Sequence, residues 1–497
     1  MFQPIFRLRF GFLSLLIITL LVVACNQAAS PNATASPAIV LEACQLSSPG
    51  VPSVVKAECG WLQAYENRTA ASGRTIDLHV AVVKATSRNP EPDPLFFLAG
   101  GPGQAATESY VQLAGAFNRI NQKHDIVLVD QRGTGKSNPL DCPQLEDESG
   151  SEEDLAPYLR QCLDQLDADP VFYTTPMAMD DLEQVRSALG YEQINLYGVS
   201  YGTRAALTYL KYYPQNVRSV ILDGVVPQDE VLGLSAAQDA QRTLDMIFDR
   251  CEADQVCSVT FPGVRDSFND LMATLEQQPA EVSLIHPITG QPETLTLTTE
   301  MLGTGVRLLT YSQETIALLP LLIHTSQTRN DLSLLAAQYL LVSEELTESI
   351  SEGMGYSVHC AEDIPFLDRE QAEQVDQDAY LGDLYTRQLS QVCDVWPNGE
   401  VPAGYKDPVQ SDVPVLLLSG EFDPVTPPEN AEKTAQTLPN SLHLVVKGQG
   451  HNMIYRGCLP RVAASFIQSG SVQGLDTSCL TAIQPMPFFI NFSGPNP

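Results

Sequence analysis

The pentad Gly198-Val199-Ser200-Tyr201-Gly202 constrains this chain more than any other feature. An apolar run, Ile194 to Tyr197, precedes it and reads as a short buried strand, while Thr203 to Tyr213 reads as a helix. The serine then stands on the bend between strand and helix. Gly198 and Gly202 let that bend close without Cβ clashes, which leaves the serine hydroxyl exposed at the sheet's edge. So placed, Ser200 is a nucleophile if a histidine and a carboxylate reach it. The five-residue string alone is weak evidence; the strand before it and the helix after it give it meaning.

Further buried-strand candidates recur along the chain with helical stretches between them. They are Leu78 to Lys84, Pro94 to Leu98, Asp125 to Val129, Val217 to Leu222, Val413 to Leu418 and Leu442 to Val446. Short apolar strands alternating with helices indicate an α/β fold, a mostly parallel sheet flanked by helices. Trp61 to Asn67, joined to Leu78 to Lys84 across an Ala-Ser-Gly turn, reads as an antiparallel hairpin leading in. The strand spacing breaks once, between Leu222 and Val413, where helical periodicity replaces buried runs. We expect residues 61–228 and 400–497 to form one core, with 229–399 inserted as a mainly helical lid over the sheet's carboxyl edge. An independent helical domain is the alternative for that insert.

The late strands supply partners for the serine. Val413 to Leu418 runs into Ser419-Gly420-Glu421-Phe422-Asp423, and Leu442 to Val446 leads to Gly448-Gln449-Gly450-His451. Asp423 and His451 thus occupy loops directly after buried strands, where the acid can orient the imidazole and the imidazole can take the serine proton. Glu421 competes for the acid role, but Asp423 better matches the loop position; His79 and His443 lack the strand-end context. The order serine, aspartate, histidine is that of the α/β-hydrolase fold, which is therefore the expected fold class. Phe96-Phe97-Leu98-Ala99-Gly100-Gly101-Pro102-Gly103 puts a glycine turn after another buried strand. Its exposed amides suit a developing oxyanion, and we assign that role to the N–H groups of Gly101 and Tyr201.

Composition narrows the setting. A net charge of −32 leaves nothing to neutralise phosphates and argues against nucleic acid. Arg7 and Arg9 precede the uncharged run Phe10 to Val23, which is short for a membrane span and suited to a signal-peptide core. Leu21-Val22-Val23-Ala24-Cys25 resembles the lipobox of bacterial lipoproteins, which implies a signal peptide over 1–24, lipidation at Cys25 and a membrane anchor outside the cytoplasm. Residues 25–60 then read as tether and lead-in, with a flexible stretch from Ser30 to Pro37. Ten further cysteines suit an oxidising compartment. Spacing does not fix their connectivity; sequential pairing closes short loops and is the expectation. The pairs are Cys44–Cys59, Cys142–Cys162, Cys251–Cys257, Cys360–Cys393 and Cys458–Cys479. No cysteine or histidine cluster suggests a metal, and serine acyl transfer implies no cofactor.

Gly100-Gly101-Pro102-Gly103 resembles the H-G-G-P-G turn of prolyl aminopeptidases, with Ala99 in place of histidine. Asp130-Gln131-Arg132-Gly133-Thr134-Gly135-Lys136-Ser137 is similar to their D-x-R-G-x-G-x-S segment, and it lacks the glycine spacing of a phosphate loop. Gly420 to Pro427, Gly450-His451 and the cysteine-rich C-terminal part resemble the tripeptidyl-aminopeptidase branch. The likeness spans Trp61 to Cys479 and implies an exported serine exopeptidase acting on small peptides near their N-termini. A carboxylesterase or lipase on the same scaffold is the nearest alternative, and a non-catalytic binding lipoprotein the more distant one. Residues removed per cut, side-chain preference and oligomeric state are left open. An exopeptidase needs a carboxylate for the substrate ammonium. In His359-Cys360-Ala361-Glu362-Asp363, the acids Glu362 and Asp363 beside a bridged cysteine are the expected anchors.

Overall fold

The computed structural model describes residues 39–142, 152–368, 372 and 379–495. The signal peptide, Cys25 and the Ser30 to Pro37 stretch lie outside the described residues.

The strands in chain order are β1 (Glu42–Ser48), β2 (Val51–Tyr65), β3 (Thr75–Val83), β4 (Leu95–Leu98), β5 (Ile126–Val129), β6 (Ile194–Val199), β7 (Val217–Asp223), β8 (Ala280–Ile285), β9 (Pro292–Leu297), β10 (Val415–Gly420) and β11 (Ser441–Val446), followed by the short antiparallel pair β12 (Phe489–Asn491) and β13 (Gly494–Pro495). Nine of them form one sheet in the order β1-β2-β3-β5-β4-β6-β7-β10-β11. From β5 to β11 every neighbour is parallel, and β1, β2 and β3 add an antiparallel edge. Every residue of β4, β5, β6 and β10 is buried because helices cover both faces. One face packs against the helices Thr175–Ala188 and Tyr201–Tyr212, the other against Ala106–Asn121 and Leu459–Ser469.

The entry hairpin pairs Trp61 with His79 and Tyr65 with Thr75. Strand β2 begins ten residues earlier than its apolar part, and β1 pairs back along it, so residues 42–60 are sheet edge and not tether. Their half-exposed, polar-rich alternation hid them; Cys44 and Cys59 tie the two strands together. All five bridges are the sequential ones, and Cys360–Cys393 joins the helices Glu352–Glu362 and Leu384–Cys393.

Between β7 and β10 the regular structure of the described residues is helical apart from the antiparallel hairpin of β8 and β9, which sequence reading missed. These helices bury an apolar cluster of their own, including Leu244, Phe248, Phe268 and Leu302. No described helix is long and apolar enough to cross a membrane.

Candidate active site

Ser200 stands between the end of β6 and the helix Tyr201–Tyr212 with φ 55° and ψ −126°, a strained conformation for a non-glycine residue. The crossing around it is as tight as the sequence implies. A Cβ on Gly198 would lie 2.2 Å from the Gly202 carbonyl oxygen, and one on Gly202 would lie 2.3 Å from that of Leu98. The Ser200 N–H donates to the Asp223 carbonyl at 2.9 Å, and Thr203 Oγ1 donates to the Ser200 carbonyl at 2.6 Å. Neighbouring strand and first helical turn together hold the bend.

Asp423 is fully buried in the loop after β10. Its Oδ1 accepts the N–H groups of Val425 and Thr426, both at 2.9 Å, and its Oδ2 accepts the Thr426 hydroxyl at 2.8 Å. The same Oδ2 lies 2.7 Å from His451 Nδ1. A carboxylate only accepts, so this contact places the imidazole proton on Nδ1 and leaves Nε2 as the basic nitrogen. Arg242 fixes the loop from the helix Ala236–Ala253 by donating to the Asp423 carbonyl at 2.7 Å. Glu421 instead accepts the Gly448 N–H at 2.7 Å, and His443 bonds Ser419 Oγ at 2.9 Å.

Ser200 and His451 line one cavity of about 800 Å³ between the carboxyl ends of the strands and the helices of the insert. Among the described residues no hydrogen bond joins the serine hydroxyl to the imidazole; such contacts often tighten only when substrate binds. Gly100, Gly101 and Pro102 line the same cavity, and a Cβ on Gly100 would lie 3.3 Å from that of Ser200. The glycine turn therefore passes directly beside the serine. Tyr201 opens the following helix, and as its first residue it has an N–H with no intrahelical acceptor.

Glu362 and Asp363 are placed elsewhere than the sequence suggested. Both are fully buried, and neither lines the cavity. Glu362 accepts the Thr175 N–H at 2.6 Å, the Thr175 hydroxyl at 2.9 Å and the Tyr405 hydroxyl at 2.5 Å. Burial pushes its carboxyl above the usual range despite Arg204 nearby. Asp363 accepts from Arg204 at 2.9 Å, Lys406 at 3.1 Å and the Leu232 N–H at 3.0 Å, and lies 3.0 Å from His359 Nδ1. Burial disfavours its charge, but these cations hold it well below its ordinary value. The pair clamps the helix Glu352–Glu362 onto the helix that follows Ser200, and has no oxygen to offer a substrate. The cavity's own acids are Glu300 and Glu352. Glu300 is paired with Arg387 at 2.7 Å; Glu352 accepts only the Tyr158 hydroxyl, at 2.8 Å, among the described residues.

Sequence reading also passed over Asp223, the last residue of β7. Its carboxylate accepts the N–H groups of Met453 and Ile454 at 2.7 and 2.8 Å and the Tyr197 hydroxyl at 2.8 Å. One residue thus holds the serine bend through its carbonyl and the histidine loop through its side chain. An acid closing the apolar run Val220-Ile221-Leu222 was the available signal. The Asp130 segment is structural: Asp130 accepts Thr107 N–H at 2.9 Å, and buried Arg132 pairs with Asp181 at 2.7 Å. Among the described residues no group of acids, histidines and cysteines could hold a metal.

Comparison with known proteins agrees with this architecture. The alpha/beta hydrolase fold family matches residues 93–278, and the TAP-like protein family matches residues 378–479. The putative hydrolase YuaR of Escherichia coli K12 is 25% identical over 80% of this chain and 83% of its own length. Serine protease Hip1 of Mycobacterium tuberculosis is 23% identical over 88% of this chain and 90% of its own. Tripeptidyl aminopeptidase of Streptomyces lividans is 28% identical over 34% of this chain and 35% of its own. The chain is an enzyme of the α/β-hydrolase fold, a serine hydrolase resembling the tripeptidyl and prolyl aminopeptidases.

Proposed function

We propose that this protein is a serine exopeptidase that cleaves peptides near their N-termini through an acyl-enzyme. The observation that carries the reading is the coincidence, in one cavity, of a strained Ser200 with a histidine whose Nδ1 is held by a buried aspartate. His451 Nε2 takes the proton of Ser200 Oγ as the oxygen attacks the scissile carbonyl. Asp423 keeps the ring in that tautomer and stabilises the imidazolium. The N–H groups of Gly101 and Tyr201 receive the oxyanion as it forms. His451 then protonates the leaving amine, and water, deprotonated by the same nitrogen, releases the acyl group.

Recognition of a free amine falls to Glu352, the cavity carboxylate without a cationic partner among the described residues. Products of a mixed peptide library, identified by mass spectrometry for wild type and Ser200→Ala, test the reading. Wild type should release short N-terminal fragments from free peptides and spare N-acetylated ones, and Glu352→Gln should erase that discrimination mainly through KM. Equal cleavage of free and acetylated peptides sinks the exopeptidase reading, and turnover confined to p-nitrophenyl esters favours the esterase. We further propose export and lipidation at Cys25, a setting that suits five disulfides. Cys25→Ser should move the protein from the membrane to the soluble fraction.

A further inference from the structure

Arg307 is the cavity cation that the proposed reaction leaves unused. It lies in the last turn of the helix Thr299–Leu309, is 7% exposed, and lines the cavity. Its Nη1 donates to the Tyr385 hydroxyl at 3.0 Å, and its guanidinium carbon lies 4.7 Å from the Tyr385 ring centroid and 6.0 Å from that of Tyr311. Its Nε has no hydrogen-bond partner, and no carboxylate pairs with it among the described residues. The comparably buried Arg132 and Arg204 each have one, Asp181 and Asp363. A buried cation without a counter-ion is costly, and a chain with 60 acids to 28 bases has no shortage of them. Cation–π contact offsets part of that cost but leaves donors of the guanidinium fork unused.

The position says which anion would fit. The Tyr311 ring meets the His451 ring edge-on at 5.2 Å, so Tyr311 touches both Arg307 and His451 on the cavity wall. His451 is the group that protonates the departing amine, so a cation that shares Tyr311 with it is within reach of the leaving fragment. The two ring contacts set an upper limit of about three extended residues on the reach from His451 to Arg307. Glu352 sits next to the glycine turn: the neighbouring Ser351 N–H donates to the Gly103 carbonyl at 3.0 Å. Glu300, on the same helix as Arg307, does not compete for the guanidinium, being bonded to Arg387.

We propose that Arg307 receives the C-terminal carboxylate of the departing fragment, so that preferred substrates are short zwitterionic peptides ending one to three residues beyond the cut. The planar fork matches a carboxylate in a way that an ammonium does not. This inference rests on the peptidase reading and narrows its substrate class.

The test compares peptides of four to ten residues, each as free acid and as C-terminal amide, on wild type, Arg307→Gln and Arg307→Lys. Fluorophosphonate labelling counts intact active sites in each preparation. Wild type should prefer the short acids by about ten- to a hundredfold in kcat/KM, mostly through KM, with the preference fading in longer peptides. Arg307→Gln should lose the preference, and Arg307→Lys should keep part of it. Inhibition of wild type by short product acids against their amides gives the same readout without any variant, should Arg307→Gln fail to fold. Equal cleavage of acids and amides by wild type, or an unchanged preference in Arg307→Gln, overturns the proposal and leaves the peptidase reading standing. Absence of any peptide cleavage by a labelled wild-type enzyme overturns both.

Discussion

Replacing Asp223 by asparagine tests whether one carboxylate holds the two halves of the site together. The side chain is fully buried, and its two oxygens accept three donors: the N–H groups of Met453 and Ile454, and the Tyr197 hydroxyl. Asparagine keeps the volume but offers only one acceptor oxygen. Oδ1 serves Met453 and Oδ2 serves the other two, so either orientation of the amide turns an NH₂ toward a buried backbone donor. One such unpaired donor costs about 1–3 kcal/mol. Burial raises the Asp223 carboxyl above its ordinary value of 3.8, against the opposing effect of its donors. A raised native pKa means that the native state holds the proton more tightly. The associated stability is complete below the unfolded value and is lost as pH rises through the native one. The gap between wild type and Asp223→Asn should therefore be widest in acid and narrow toward neutrality. Paired urea titrations across that range measure it, since the other titrating groups cancel in the difference. Because Met453 and Ile454 lie only two and three residues after His451, kcat should fall about tenfold or more at matched folded fraction, with KM little changed. A variant within 0.5 kcal/mol of wild type by the ~1 kcal/mol scale of a single hydrogen bond, with kcat within about twofold, would refute the reasoning.

Three further outcomes are expected. Ser200→Ala should lose both fluorophosphonate labelling and turnover, by about 10⁴-fold or more, and Asp423→Asn should fall by about as much because the wrong imidazole tautomer is then favoured; steady-state kinetics on one peptide checks both. Gly202→Ala should cost more than about 4 kcal/mol or give insoluble protein, since its Cβ would lie 2.3 Å from a backbone oxygen; soluble yield and thermal melting decide that. Removing the Cys360–Cys393 bridge as a double serine variant should lower stability by about 2–4 kcal/mol, as expected for a 33-residue separation, read as a lower denaturation midpoint.

Legibility in the sequence followed the range of the forces at work. Strands buried on both faces announce themselves as continuous apolar runs, and so β4, β5, β6, β7 and β10 were readable, while the half-exposed edge strand β11 was readable from its apolar residues Leu442, Leu444, Val445 and Val446. Ser200, Asp423 and His451 were readable because each sits within a few residues of such a strand, where local sequence decides which loop a side chain enters. The edge strand β1 and the hairpin of β8 and β9 bury little, so no apolar pattern marks them. The acids at 362 and 363 failed for a different reason. Whether a carboxylate faces substrate or is consumed internally depends on where its counter-charges fold, and Thr175 lies 187 positions from Glu362 and Arg204 lies 159 from Asp363. The same logic identifies the informative charges once the fold is known. Glu362 and Asp363 are satisfied by the protein and hold the insert to the helix after Ser200, whereas Arg307 has aromatic faces and a hydroxyl but no counter-ion among the described residues. Burial without a partner separates a group kept for a ligand from one kept for the fold, and a sequence states neither burial nor partner.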